Sequence, residues 1–268
     1  MLKTATHTQE NNPGLKTLFF AALSLFSLEV TAKASDNALD SNAHVWMTYV
    51  GDHPLRDGPW GLHLEGQVRR SDLVDEWQQW MVRPGLKYTL SPSLTLSAGW
   101  AYAKTYPYGD YPVAFDFPEH RAWEQITYSV KALGLEWQNR LRLDQRWIGE
   151  MERTGNDWNV ENWRYENRIR YMLRTTLPLT ASKKTYLAFS EEIFVNFGSN
   201  VSGNFFDQNR LFLGVGHKLS PHTRIELGFL EQTIQRRGGA IWENNHTFTV
   251  TLASNWPFKK KAKPLSLP

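Results

Sequence analysis

From Leu133 to Trp147 the chain alternates without a break. Odd positions carry Leu133, Leu135, Trp137, Asn139, Leu141, Leu143, Gln145 and Trp147; even positions carry Gly134, Glu136, Gln138, Arg140, Arg142, Asp144 and Arg146. Successive side chains of a strand point to opposite faces. One face here is therefore apolar with tryptophan at its end, and the other is almost wholly charged. About 14 residues at about 3.3 Å each reach ~46 Å, enough for a strand tilted near 45° to cross a bilayer core.

The same alternation returns along the body, in ten segments from Trp60 onward: 60–69, 79–90, 94–102, 121–130, 133–147, 163–173, 187–196, 210–216, 224–229 and 247–256. Their connections alternate as well. Short turns lie at 90–93, 131–134 and 219–222, and a medium one at 178–184. Longer polar connections span 70–76, 105–120, 149–159, 198–207 and 235–244. Short on one side and long on the other is the arrangement of a transmembrane β-barrel. A soluble lipocalin-like barrel would instead turn its apolar face inward. Mid-strand charge, tryptophans near strand ends and an export leader favour lipid outside.

One hairpin recurs: Leu90, Pro92, Leu96, Gly99 and Trp100 match Leu219, Pro221, Ile225, Gly228 and Phe229. This is shared hairpin chemistry rather than a second domain. Ten antiparallel strands close neatly. Residues 45–50 also look like a strand within the amino-terminal segment 35–59. Counting it gives eleven, which forces a parallel closure; pairing it with residues 36–43 gives twelve. The sequence favours ten spanning strands, with twelve as the alternative.

Composition excludes other classes. Mean hydropathy is −0.49 and no run of about 20 apolar residues occurs, which rules out a helical membrane protein. Twelve Trp, ten Tyr and fourteen Phe are too many aromatics for a disordered chain. With no cysteine there is no disulfide framework, thiolate metal site or cysteine nucleophile. Lys16, the apolar run that follows it and Ala32-Lys33-Ala34 read as a signal peptide over 1–34. The formal charge of +3 is carried by the ends: the first 34 residues net +1 and the tail 259–268 nets +4, leaving −2 for the body. A nucleic-acid surface is not expected. The expected partners are outer-membrane lipid and the barrel assembly machinery.

Several runs then carry a family resemblance. Phe206-Asp207-Gln208-Asn209-Arg210-Leu211-Phe212-Leu213-Gly214-Val215-Gly216, followed by Leu219-Ser220-Pro221, resembles the signature of the proteobacterial family called domain of unknown function 2490. Val82-Arg83-Pro84-Gly85-Leu86, Gly99-Trp100-Ala101-Tyr102, the run 140–146, the run 167–171 and the run 192–196 fit as well. The resemblance covers Trp46 to Phe258. It implies an outer-membrane barrel of Gram-negative bacteria over 60–258, without assigned activity and with no catalytic residue to carry over. Such barrels usually end at an aromatic residue, here Trp256 or Phe258; the basic tail 259–268 departs from that pattern.

The inward parity collects Arg83, Arg140, Arg142, Arg146, Arg164, Arg168, Arg170, Arg210 and Arg224 with Glu65, Glu136, Asp144, Glu166, Glu192 and Glu226. Arginine forks match carboxylates bidentately. The expectation is a salt-bridge network filling a narrow lumen, in a scaffold that displays its loops. Shared parity on adjacent strands suggests Arg168 and Glu192 as a central pair. The alternative is a small anion-selective channel. A further alternative is a lipid hydrolase with a surface Ser–His pair. His217 has the outward parity for that, but no serine is recognisable as its partner. His63 and Glu65 share the inner face. No metal-ligand spacing, phosphate loop or cofactor motif occurs.

Overall fold

The computed structural model describes residues 38–55, 58–155 and 157–258. The leader read at 1–34 and the basic tail at 259–268 lie outside these residues. Eleven strands follow one another: β1 (Ala38–Pro54), β2 (Trp60–Ser71), β3 (Glu76–Ser91), β4 (Leu94–Thr105), β5 (Phe117–Ala132), β6 (Leu135–Thr154), β7 (Asp157–Pro178), β8 (Thr185–Phe197), β9 (Phe206–Ser220), β10 (Thr223–Gln235) and β11 (Ile241–Ser254). Sequence neighbours pair antiparallel from β1 to β11, and β1 meets β11 to close the ring.

The strand count corrects the expectation of ten or twelve. The segment set apart as 35–59 supplies β1, a full wall strand of 17 residues. Ten antiparallel steps leave β1 and β11 running the same way. Beyond the strand ends, Leu55 bridges Phe258 in parallel, and the Phe258 amide donates to the Pro54 carbonyl at 3.0 Å. The sequence shows only 45–50 of β1 as a strand, because its inner face is polar, with Asp40, Asn42, His44 and Thr48, and because its alternation slips near Gly51. There the His53 ring folds back over the glycine: a Cβ at Gly51 would lie 2.3 Å from His53 Nε2.

Two of the expected long connections are also shorter than read. Residues 149–159 continue β6 and β7 to a tight turn around Gly155, which has φ +66. Residues 72–75 make the turn between β2 and β3, with Asp72 and Leu73 at φ 45 and 60. Paired positive φ values suit the twist of a hairpin. Charged and amide residues therefore extend strands here where their polarity suggests loops.

The wall is inverted relative to a soluble protein. Buried side chains are mostly polar or charged, including Asp144, Arg142, Glu166 and Arg168. Large apolar side chains face outward and exposed, among them Leu86, Ile126, Leu141, Leu213, Phe229 and Phe248. Aromatic rings band both ends of this outer face. Trp80–Tyr102, Trp100–His120 and Trp147–Tyr165 lie toward the long connections, and Trp60–Tyr88 and His222–Trp256 toward the short turns.

The repeated hairpin has a packing cause. Gly85 faces Gly99 across β3 and β4, and Gly214 faces Gly228 across β9 and β10. These bare patches of inner wall let a ring lie against the backbone. A Cβ at Gly85 would stand 2.4 Å from the Trp123 ring, and one at Gly228 would stand 2.5 Å from the Phe212 ring.

Candidate functional site

Period two delivers the charged residues to the interior, and the register decides which of them meet. Arg83 on β3 lies opposite Glu65 on β2 and donates to it at 2.6 Å. Asp144 on β6 lies opposite Arg168 on β7, which donates to it at 3.0 Å and to Asp207 at 2.9 Å. Arg170 reaches Glu192 at 2.9 Å and Asp144 at 3.5 Å. Arg140 joins the same Glu192 at 2.7 Å. The suggested Arg168–Glu192 pair is thus not formed: the register sets Arg168 against Asn196, and Glu192 opposite Met172.

Toward the long connections, Arg146 donates to Glu119 at 2.5 Å and approaches Glu166 at 3.7 Å. Arg164 holds Glu166 directly. Toward the short turns, Glu226 accepts from Arg174 at 2.7 Å and from the Tyr186 hydroxyl at 2.7 Å. Arg224 is half exposed and 3.5 Å from the same carboxylate. Glu136 lies exposed at the short-turn rim, outside these clusters.

Residues missed in the sequence complete the interior. Glu119, Arg121, Asp207, Glu243 and Arg69 are all buried. A signal for several was present: an acceptor two positions before an arginine shares its face of the strand. Glu119 and Arg121 pair at 2.7 Å, Gln67 accepts from Arg69 at 3.0 and 2.5 Å, and Gln208 accepts from Arg210 at 2.9 Å.

Three interior arginines have no carboxylate within ion-pair distance among the described residues: Arg69, Arg142 and Arg210. Arg142 donates to Gln125 at 2.8 and 2.6 Å. Aromatic faces stand where acids would. Arg69 lies 4.0 Å and Arg210 5.0 Å from the Trp46 ring centre. Arg210 and Arg170 lie 4.7 and 4.3 Å from that of Phe194, and Arg142 lies 5.2 Å from that of Trp123. Such contacts contribute roughly 0.5–2 kcal/mol each, more when dry.

Two chambers result. One, of about 440 Å³, lies toward the long connections. The other, of about 420 Å³, lies toward the short turns. Gln67, Arg83, Arg170 and Arg210 line both, so they mark the waist between them.

Residues 106–116, between β4 and β5, reach the opposite wall. The Tyr108 hydroxyl donates to Glu243 on β11 at 2.7 Å, and the Asp110 amide donates to Asp40 on β1 at 3.4 Å. Arg236 lies over the Tyr108 ring and pairs with Glu243 at 2.5 Å. Burial first, and then the Glu243 carboxylate, push the Tyr108 phenol well above the usual tyrosine range.

Among the described residues the two histidines singled out in the sequence have other partners. The outward His217 bonds Thr185 Oγ1 at 2.9 Å rather than a serine. His63 bonds Asp52 at 2.8 Å and lies 3.5 Å from Glu65. No group of three His, Asp or Glu among the described residues is placed to hold a metal.

Over residues 43–245 the sequence matches the family described as "Protein of unknown function (DUF2490)". An uncharacterized protein of Methylorubrum extorquens is 25% identical over 192 residues, covering 70% of this chain and 77% of the relative.

Proposed function

We propose a function from the premise that this chain belongs to the family described as "Protein of unknown function (DUF2490)": the protein is a narrow outer-membrane barrel whose lumen is sealed at the waist, a scaffold presenting its longer connections at one rim. The carrying observation is the inverted wall, apolar outside and charged inside. A Leu, Phe or Ile moved out of water contributes about 1.5–3 kcal/mol. A whole belt of them left in water would outweigh the roughly 5–15 kcal/mol net stability of a folded domain. Lipid is the solvent that suits this surface. Export would use the leader at 1–34.

The waist supports a sealed lumen. Its arginines are pinned by Glu65, Asp144 and Glu192 and by the Trp46 and Phe194 rings. The excess of guanidinium over carboxylate there favours a second reading, an anion-selective pore. Planar-bilayer conductance separates the two. A sealed barrel conducts almost nothing, and Arg170→Ala with Glu192→Ala opens a leak, because that pair bounds the waist. Steady, chloride-favouring conductance from the unaltered protein would overturn the sealed reading in favour of the pore.

A further inference from the structure

Arg69 and Arg210 are the two interior cations lining the chamber toward the long connections that have no carboxylate within ion-pair distance among the described residues, although Glu192 stands opposite Arg210 across β8 and β9. Each is held by one amide oxygen, Gln67 Oε1 for Arg69 and Gln208 Oε1 for Arg210. Each lies over the Trp46 ring. A guanidinium held over a ring and by one amide oxygen keeps further N–H donors able to fork onto an oxyanion. Both side chains line the chamber of about 440 Å³ toward the long connections. That volume lies within the usual range of small-molecule sites. Burying cations with no carboxylate in ion-pair contact is costly, so an arrangement of this kind is improved by an anion that enters.

The remaining wall narrows the ligand class. Around the same chamber stand Tyr108, Phe115, Phe117, Ile148 and Met151, an apolar collar, while its carboxylates Glu119, Glu150, Asp207 and Glu243 are each paired with another arginine. A solute with a compact double charge at one end and a flat or apolar body at the other matches both parts. We infer that this chamber binds a small organic phosphate monoester, its dianionic head gripped by Arg69 and Arg210 and its body against the aromatic collar. Two guanidiniums with no carboxylate in ion-pair contact match the charge of near −2 that a phosphomonoester carries at neutral pH. The site uses the sealed waist of the reading above as its floor but does not need the membrane.

The test is calorimetric titration of the purified full-length barrel in detergent, shown folded by its heat-modifiable mobility. The probes are phenyl phosphate and inorganic phosphate, with sodium chloride at matched ionic strength as reference. Phenyl phosphate is expected to bind saturably and more tightly than inorganic phosphate. Arg69→Gln and Arg210→Gln should each weaken it at least tenfold, while Arg224→Gln, in the other chamber, leaves it unchanged. Binding should also change tryptophan fluorescence in the unaltered protein and not in Trp46→Phe. Should an arginine variant fail to fold, that fluorescence comparison decides. Folded protein that binds neither phosphate, binding that merely follows ionic strength, or folded arginine variants that bind normally would overturn the inference. A leaking barrel that still binds phenyl phosphate would overturn the sealed reading alone.

Discussion

Leu141 is 47% exposed on the outer wall, while Arg142, the next residue, is 2% exposed in the interior. In the proposed membrane the outer residue meets lipid and the inner one the lumen. Arginine at a lipid-facing mid-strand position costs about 2–4 kcal/mol. Leu141→Arg is therefore expected to reduce the heat-modifiable folded form in membranes sharply, as read on unboiled gels. Arg142→Leu removes a cation that has no acid partner, and the barrel should still assemble. The opposite outcome would mean that water lies outside the wall. Parity put the two side chains on opposite faces, and mid-strand charge with tryptophans near strand ends suggested which face is the outer one. Partners were not readable in the same way, because they depend on register across strands: Gln125 meets Arg142 only because β5 and β6 set them opposite. The local spacing Gln67-Val68-Arg69 was legible in principle, yet amides draw less notice than acids.

At the level of elements, the segment 106–116 is a strap rather than a free loop. Its anchor is the Tyr108 hydroxyl on Glu243, which also takes Asn245 Nδ2 at 2.5 Å. A hydrogen bond to a charged group contributes about 1.5–3 kcal/mol. Tyr108→Phe should loosen the strap by roughly that amount and raise its cleavage in limited proteolysis, with the strands still protected. The raised phenol also sets a direction with pH. A group whose folded pKa exceeds its free value supports the fold fully below the free value, about 10 for tyrosine, and loses that support as pH rises through the folded one. Alkaline loosening of the strap is thus expected in the unaltered protein and absent in Tyr108→Phe. Strand existence was clear from period two, whereas the ends were not. The polar residues of 149–159 carry on β6 and β7 because backbone pairing continues wherever two strands stay adjacent, whatever their side chains face.

For the whole molecule, the decisive number is eleven, and it rests on β1. Its polar inner face and the slip in alternation near Gly51 let only residues 45–50 read as a strand, too short to count as the full wall strand that the closed ring requires. An even barrel returns its chain to the rim it started from. Here the first strand begins beside the long connections, and the last ends beside the short turns. In the membrane proposed above, labels fused ahead of Ala38 and behind Phe258 should accordingly occupy opposite compartments. On intact cells a protease added outside should remove one and spare the other; removal of both, or of neither, would require an even count. The ends of the barrel cannot be tied by a short linker, so a circularly permuted form needs a tether as long as the barrel is tall. In electrical terms the fold is a through-connection: set in the proposed membrane, whatever is attached at one end is presented to one side of the barrier, and whatever is attached at the other end answers to the opposite side.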